Sequence, residues 1–339
     1  HTRSCLVSWG SEMCIRDRPL KVGLVGCGGR GLGAMKNALD ADPGTVVWAL
    51  ADVFRERIDF GSNLLTEQYG SRVQLDKSRL FDGLDGYKKL LQTDIDVVLL
   101  CTPPAFRPEH LAAAIDAGKH IYAEKPVAVD VPGVLSVLES ARLAKLKNLV
   151  ILDGFCWRYD KANEEAHRKL SSGELGRVLS FDGLYYTTPP KSPLALDSRP
   201  SSDTDVAWAL RNWTAWNWLS GGQFVEQIVH TIDGMVWSMN EQLPLAAFGS
   251  GGRAQRRDDG DVWDHYDVYF EYDHNVAAHI SCRQWVGCHG EIVDRTVCEK
   301  GMLVTPYRPH IQADKRWRFR GERGNMYADT HVALSLIHI

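Results

Sequence analysis

A chain of 339 residues, 44% hydrophobic and 24% charged, has the composition of a globular protein and the length of about two domains. Its net charge of -4 excludes a general attraction to nucleic acid or anionic lipid. The sequence contains no run of 18 apolar residues, so it predicts no membrane span. Eight cysteines without Cys-x-x-Cys spacing argue against a disulfide framework and a structural zinc site. We therefore expect no nucleic acid, no membrane and no metal as partners.

The two ends of the chain share an unusual relationship. Residues 13–18 can be encoded as ATG TGT ATA AGA GAC AG, and the reverse complement of that string encodes residues 334–339. Such an inverted repeat resembles a sequencing adapter translated as protein, so we treat residues 1–18 and 334–339 as foreign to the fold. The native start is then missing, and the location stays open between the cytoplasm and export.

The first predicted strand, residues 21–25, leads into a glycine-rich turn and then a helix. In the Gly-x-Gly-x-x-Gly pattern that follows, Gly26 permits a tight turn, Gly28 lets the backbone approach a pyrophosphate, and Gly31 allows close helix packing. A second apolar run ends in Asp52, about 20 residues further on, where a carboxylate can hold ribose hydroxyls. This combination predicts a dinucleotide-binding domain.

The acid at the end of the second strand bears on the choice of cofactor. Asp52 would repel the 2′-phosphate of NADP, which favours NAD. Arg55, one turn later, would offset part of that repulsion, so NADP remains possible. A helix N-cap role for Asp52 is compatible with either cofactor.

Strands and helices continue to alternate up to residue 153, which predicts a parallel, doubly wound sheet in residues 19–153. Ligands bind such sheets at the carboxyl ends of the strands. Two segments lie directly after strands, Thr102-Pro103-Pro104 and Glu124-Lys125-Pro126. Lys125 is therefore expected beside the nicotinamide, although a solvated lysine is equally compatible with its position alone.

A second motif lies in residues 221–233 and begins with two glycines. We predict a single helix here, with Glu226, His230 and Asp233 on one face. The spacing of Glu226 and His230 would suit a metal, but no further ligand cluster accompanies them. Beyond residue 243, runs that alternate apolar and polar residues predict antiparallel hairpins.

Together these motifs resemble the Gfo/Idh/MocA family, which is named after glucose-fructose oxidoreductase, inositol dehydrogenase and rhizopine catabolism. The resemblance rests on the glycine loop, residues 102–104, residues 123–126 and the glycine-led helix, which occur in the family's order. It implies a Rossmann domain followed by an α/β domain, residues 154–333, with an open, mostly antiparallel sheet that often forms homodimers or homotetramers. Many sugar and polyol dehydrogenases of the family have aspartate four residues before the histidine, where this chain has Glu226.

The resemblance implies a chemistry for this set of polar residues. Oxidation of a carbinol needs a base with a pKa near 7, and His230 fits that role, although a buried structural histidine is the alternative. Glu226 or Asp233 would orient the imidazole, and Lys125 would stabilise developing alkoxide.

The predicted site has three groups of residues. The catalytic residues are Lys125, Glu226 and His230. The cofactor contacts are Gly26, Cys27, Gly28, Gly29, Arg30, Gly31, Asp52, Arg55, Thr102, Pro103, Pro104, His110, Glu124 and Lys125. The substrate contacts are Lys125, Arg158, Tyr159, Arg211, Trp213, Glu226, His230 and Asp233. A hinge is the alternative for Arg158 and Tyr159, and a core or subunit interface is the alternative for the tryptophans around Trp213.

We therefore expect an NAD(P)-dependent oxidoreductase that transfers hydride to or from a sugar, polyol or glycoside hydroxyl. An NAD-dependent glycosidase that works by transient oxidation and elimination is the alternative, and it would accumulate no NADH. A regulatory protein without turnover is disfavoured by the presence of Lys125, Glu226 and His230 together.

Overall fold

The computed structural model describes residues 18–190 and 194–338, with backbone only for residues 334–338. Of the two segments predicted to be foreign, residues 1–17 and residue 339 lie outside this range. Within it, the strands form two separate sheets.

The first sheet has six strands, all parallel, in the order β3-β2-β1-β4-β5-β6. Its strands are β1 (Leu20–Val25), β2 (Thr45–Asp52), β3 (Leu80–Asp82), β4 (Val97–Leu100), β5 (His120–Ala123) and β6 (Ile151–Asp153). Its helices are α1 (Gly29–Ala41), α2 (Arg55–Tyr69), α3 (Gly86–Leu91), α4 (Arg107–Asp116) and α5 (Val131–Leu146). The central strands read as continuous apolar runs because both faces are covered: Leu24 packs into one core cluster and Val98 into another. The predicted doubly wound Rossmann sheet is confirmed.

The second sheet has eight strands in the order β14-β13-β12-β11-β7-β10-β9-β8. Its strands are β7 (Val178–Thr187), β8 (Ala246–Gly252), β9 (His265–Glu271), β10 (Ala277–Gln284), β11 (Glu291–Cys298), β12 (Gly301–Thr305), β13 (His310–Ala313) and β14 (Trp317–Arg318). Among these described strands only β7 and β10 pair in parallel, so the predicted mostly antiparallel sheet is confirmed.

Helices cover one face of this second sheet. They are α6 (Lys161–Ser171), α9 (Gly222–Glu226) and α10 (Val229–Ser238). Two further helices, α7 (Asp205–Arg211) and α8 (Asn217–Ser220), pack instead in a cluster with Phe54 and Phe106 of the first domain. Burial alternates strictly along β10, as expected for a sheet with one packed face. Helix α10 approaches β7 so closely that a Cβ at Gly183 would lie 2.4 Å from the Thr231 side chain. The lack of a side chain at Gly183 thus allows α10 to pack this close to the sheet.

The last helix, α11 (Met326–His338), returns to the first domain. The guanidinium of Arg30 lies 5.0 Å from the centre of the Tyr327 ring, and the rings of Tyr122 and His331 are 4.2 Å apart. This helix ties the end of the chain to the glycine-loop region, and its backbone stays helical through residue 338.

Candidate active site

A cleft of about 620 Å³ lies at the carboxyl ends of β1, β2 and β4. It brings together most of the predicted cofactor contacts. These are Gly26, Cys27, Gly28, Gly29, Arg30, Gly31, Asp52, Thr102, Pro103 and His110. Trp213 of the second domain also lines the cleft, so both domains contribute to it. Pro104 is buried and does not line it.

The glycine loop has the shape that a dinucleotide requires. Gly26 has a φ of 98°, and a Cβ there would lie 2.8 Å from the carbonyl carbon of Cys101. A Cβ on Gly31 would lie 1.8 Å from the carbonyl oxygen of Gly26. At Gly28, by contrast, a Cβ would meet nothing within 4 Å. The loop therefore packs tightly against the protein at Gly26 and Gly31 and is open towards the cleft at Gly28. This open side lies at the N-terminus of α1, where backbone N–H groups can bind phosphate.

Asp52 is fixed at the end of β2. Its carboxylate accepts hydrogen bonds from the backbone N–H of Cys27 at 2.7 Å and of Phe54 at 3.0 Å. Burial raises the pKa of this carboxyl, and the two N–H donors oppose that effect. Residue 54 is the N-cap of α2, so Asp52 does not have the N-cap position that the sequence allowed.

Of the two arginines that follow Asp52, Arg57 lines the cleft and Arg55 does not. Arg55 pairs with Asp59 at 2.9 Å and does not line the cleft. Arg57 lines it and lies 4.0 Å from the Asp52 carboxylate. Both residues follow Asp52 within one and a half turns, and the sequence offered no signal to choose between them.

Aromatic residues that the sequence did not single out form one wall of the cleft. The ring of His110 lies 4.0 Å from that of Tyr87 and 6.0 Å from that of Phe106. Burial lowers the pKa of His110 to about 4, so its imidazole is neutral at physiological pH. Its Nδ1 lies 3.2 Å from the Thr102 hydroxyl.

Glu124 anchors the loop beneath the cleft. Its Oε1 accepts from Arg30 Nε at 2.6 Å and from the Tyr122 hydroxyl at 2.8 Å. Glu124 is buried, does not line the cleft and supports the Arg30 side chain, so its direct contact with the cofactor stays a prediction.

Lys125 joins the two domains. Its ammonium group donates to the backbone carbonyl of Glu226 and lies 3.1 Å from the Glu226 carboxylate. Both side chains are largely buried. The two motifs that the sequence singled out therefore meet in space.

The predicted single helix over residues 221–233 is wrong, because the chain forms α9 and α10 with a break at Gln227 and Ile228. The backbone N–H of His230 bonds to the carbonyl of Gln227, three residues back. The Glu226 carbonyl thus lacks the His230 N–H as its helical partner and accepts from Lys125 instead. Glu226 and His230 consequently lie on different helices.

His230 lies in apolar surroundings next to this contact. Its ring stacks on Trp157 at 4.8 Å, and the Phe155 ring meets it edge-on at 6.1 Å. Burial, together with the positive charge of Lys125, holds the imidazole pKa well below its ordinary value. This differs from the expected pKa near 7. Nδ1 is enclosed and has no hydrogen-bond partner among the described residues.

Asp233 does not orient this imidazole. Both of its carboxylate oxygens accept from Arg158 Nε at 2.9 Å, and Arg158 also pairs with Glu241 at 2.7 Å. Arg158 is therefore held by two carboxylates and is not free to bind a substrate. Tyr159 is half-buried, and burial raises its pKa to about 12.

Arg211 links the domains at the rim of the cleft. It pairs with Asp203 and, across the domain boundary, with Glu56, each at 2.7 Å. The guanidinium of Arg211, predicted to contact the substrate, is therefore engaged in ion pairs within the protein.

Among the described residues, no group of three or more His, Cys, Asp or Glu side chains is arranged to hold a metal ion. None of the helices in the described range combines the length and apolar composition needed to cross a bilayer.

Two family models match the chain. Residues 20–151 match the GFO_IDH_MocA oxidoreductase family with its NAD-binding Rossmann fold, and residues 163–327 match the GFO/IDH/MocA C-terminal domain.

Curated relatives match over part of their length. A dTDP-3,4-didehydro-2,6-dideoxy-alpha-D-glucose 3-reductase from Actinomadura kijaniata is 29% identical over 51% of this chain and 47% of its own. Inositol 2-dehydrogenase 2 from Saccharopolyspora erythraea is 27% identical over 62% of this chain and 57% of its own. The chain therefore spans about half of the length of these relatives.

Solved structures share the fold over nearly the whole chain. An aldose-aldose oxidoreductase from Caulobacter crescentus has a TM-score of 0.72 at 18% identity and covers 94% of this chain and 89% of its own. A 3-ketoreductase from Actinomadura kijaniata, solved with NADP, has a TM-score of 0.69 at 21% identity. The match covers 95% of this chain and 90% of the reductase chain.

Proposed function

The chain belongs to the GFO/IDH/MocA oxidoreductase family, and from this membership we propose that it is an NAD(P)-dependent dehydrogenase acting on a sugar, polyol or glycoside hydroxyl. The observation that carries the proposal is the contact of Lys125 with Glu226 beside His230, where the two domains meet. The relatives named above, which by their names reduce or oxidise sugars and inositol, support this choice of substrate class.

The dinucleotide would lie along the glycine loop, with Gly28 facing its pyrophosphate and Asp52 facing its ribose. The bound nicotinamide supplies a hydride acceptor or donor. Trp213 would cover the cleft from the other domain.

The protein residues handle the proton. The lowered pKa keeps the His230 imidazole neutral at physiological pH, so it can accept the hydroxyl proton of the substrate as the carbon's hydrogen leaves as hydride. Nε2 is the nitrogen available for this step because Nδ1 is enclosed. Lys125 places a positive charge where alkoxide character develops, and Glu226 holds that ammonium group in position. The carbinol carbon becomes a carbonyl carbon.

We propose NAD as the preferred cofactor. The Asp52 carboxylate stands at the ribose position and would repel a 2′-phosphate. Arg57 lines the cleft beside Asp52, and its positive charge would permit weaker binding of NADP.

Substitution of Lys125 by Met tests the catalytic assignment. We expect turnover to fall at least about a hundredfold, because a preorganised charge at the reacting oxygen is lost. NADH binding should survive, since Lys125 does not line the cofactor cleft. The measurement is NADH absorbance with a panel of sugars, polyols and glycosides, together with an NADH binding titration.

Lys147→Met is the matched control. Lys147 is an exposed lysine that pairs with Asp116 at the C-terminal end of α4, away from the ligand edge of the sheet. Near-full activity of the Lys125 variant would overturn the assignment, and a substrate that is cleaved without NADH accumulation would favour the glycosidase.

A further inference from the structure

Three buried polar side chains surround a narrow space next to Glu226. They are Gln223 on α9, Arg256 in the loop before β9, and Gln284 at the end of β10. The space itself, about 10 Å³, is no larger than a water molecule. Glu226 lines it as well, so it lies directly behind the residue that holds Lys125.

Polar atoms in this space lack partners. Both amide atoms of Gln223, which is 2% exposed, and Nη2 of Arg256 have no hydrogen-bond partner within residues 18–190 and 194–338. Unsatisfied buried donors and acceptors destabilise the folded state and are rare in folded proteins. Gln284, by contrast, is used internally, because its amide donates to Gln227 at 2.7 Å. The space beside Gln223 and Arg256 therefore has room for one oxygen atom, from a water molecule or from a ligand hydroxyl, that would satisfy these groups.

A wider cavity adjoins the narrow space. Pro189, Arg256 and Gln284 line both it and an open cavity of about 440 Å³, whose outer wall includes Val286. A cavity of this volume is within the range of small-molecule sites. We call these two adjoining spaces, from Glu226 to the exposed Val286, the path.

The charges along this path balance when Lys125, the partner of Glu226, is counted with them. Arg256 Nε pairs with Asp258 at 2.8 Å, and Arg257 and Asp259 lie together on the wall. A paired guanidinium is a hydrogen-bond donor without a net positive field, so the path has no preference for phosphate or carboxylate. The Gln223 amide offers a donor and an acceptor side by side, which suits hydroxyl groups, whereas its oxygen would oppose a carboxylate.

Resting on the function proposed above, we propose that this path is a subsite for a neutral, hydroxyl-bearing group attached to the sugar that is oxidised. Gln223 and Arg256 bind one hydroxyl of the attached group in the narrow space, and the open cavity holds the rest of the group. The preferred substrate is then a neutral disaccharide or similar glycoside, in preference to the free monosaccharide or an acidic glycoside.

Steady-state kinetics on matched substrates test the subsite. The substrates are a monosaccharide that is oxidised, a neutral disaccharide that contains it, and the same disaccharide with a uronic acid as the attached ring. We expect kcat/KM to be about tenfold higher for the neutral disaccharide than for the other two. Gln223→Leu should remove most of this preference, because kcat/KM should fall far more for the neutral disaccharide than for the monosaccharide.

Two further variants keep the result interpretable. Val286→Trp fills the outer cavity from an exposed position, so it should reproduce the effect even if Gln223→Leu fails to fold. Gln312→Leu is an exposed glutamine on β13, and it should change nothing. Equal kcat/KM for mono- and disaccharide in the wild-type chain would overturn the subsite, as would an equal loss for both substrates in the Gln223 variant.

Calorimetric titration of the neutral disaccharide into the NADH-loaded chain needs no turnover. Binding that is present in the wild type and lost in Gln223→Leu supports the subsite even if no sugar in the panel is oxidised, and in that case only the proposed function fails. Absence of binding overturns the subsite even if the monosaccharide is oxidised.

Discussion

The carboxylate of Asp52 is held by two backbone N–H groups, which fixes its position before any ligand binds. Such preorganisation matters because a rigid acceptor loses little freedom when it binds ribose hydroxyls. The choice between NAD and NADP therefore depends on this residue and on the neighbouring Arg57.

Asp52→Ser should reverse the cofactor preference. It removes the charge that would repel a 2′-phosphate and keeps a hydroxyl that can accept one backbone N–H. We expect NAD to bind about 10- to 100-fold more weakly, which corresponds to the loss of charged hydrogen bonds, and NADP to bind more tightly. Titration of reduced cofactor by fluorescence measures both. Arg55→Ala is the control, because Arg55 lies outside the cleft; an unchanged NAD affinity in the serine variant would contradict the assignment.

The pH dependence of oxidation should reveal the environment of His230. A base must be unprotonated to act, and the lowered pKa keeps this imidazole unprotonated from neutral pH to well below 6.5. We expect kcat/KM to stay level as the pH falls through 6.5 and to decline only at more acid pH. His230→Gln should lose this acid limb together with most of the rate. A fall of the wild-type kcat/KM that already begins at pH 6.5 or above would rule out this buried histidine as the base.

Residue identities in the first domain were largely predictable, because the glycine loop and Asp52 belong to a local pattern with a known geometry. Arg57 was missed because nothing in the local sequence separates it from Arg55. The ion pairs of Arg158 with Asp233 and Glu241 join residues 75 and 83 positions apart, and no local pattern reports such contacts. The unpartnered atoms of Gln223 were likewise invisible in the sequence.

At the scale of elements, the break between α9 and α10 shows how a tertiary contact overrides helical periodicity. Residues 221–233 have a helical pattern. However, the Lys125 ammonium donates a hydrogen bond to the Glu226 carbonyl, and the Gln284 amide donates one to the Gln227 side chain. Both partners come from distant parts of the chain. The pattern therefore placed the right residues near one another but not on one continuous helix.

Strand β11 contains a buried carboxyl, Asp294, beneath helix α10. A Cβ at Gly234 would lie 2.8 Å from its Oδ2, and Oδ1 has no partner among the described residues. Burial raises its pKa well above the ordinary 3.8, and nearby Asp233 adds to the effect. The folded state therefore loses stability as the pH rises above the unfolded pKa, because ionisation of the folded carboxyl is opposed.

Asp294→Asn should stabilise the protein. A neutral amide of the same size removes the ionisation penalty, so we expect a higher melting temperature at pH 7.5 and a smaller difference between pH 7.5 and pH 5 than in the wild type. Thermal melts by circular dichroism at the two pH values measure this. Asp182→Asn on the exposed face of the same sheet breaks surface pairs with Arg295 and His279, so it should lower stability by about 1 kcal/mol or less. A lower melting temperature for Asp294→Asn than for the wild type at pH 7.5 would contradict the expected stabilisation.

At the scale of the whole molecule, the fold class could be predicted from the sequence. Strands and helices alternate in one half, and apolar and polar residues alternate in the other, so both signals extend over long stretches of the chain. The return of α11 to the first domain was not predicted. It depends on the contacts of Tyr327 and His331 with residues about 200 to 300 positions earlier, which periodicity does not encode.

The uncovered face of the second sheet is the expected site of self-association. Phe248, which is 60% exposed, lies on this face beside Tyr269, with ring centres 4.9 Å apart. We expect the wild type to be a homodimer or homotetramer and Phe248→Asp to shift it towards smaller species, because a charge on an apolar contact must be desolvated. Light scattering after size-exclusion chromatography measures the mass. Leu135→Asp, at an equally exposed leucine on α5, is the control; a monomeric wild type would contradict the expectation.

Trp213 projects from the second domain into the wall of the cofactor cleft. Indole emission overlaps the absorption band of reduced nicotinamide, so an indole at this position would pass its excitation energy to NADH. Light absorbed by the protein would then reappear as nicotinamide fluorescence. The molecule thus contains its own optical reporter, which can follow cofactor occupancy in inactive variants without an added dye.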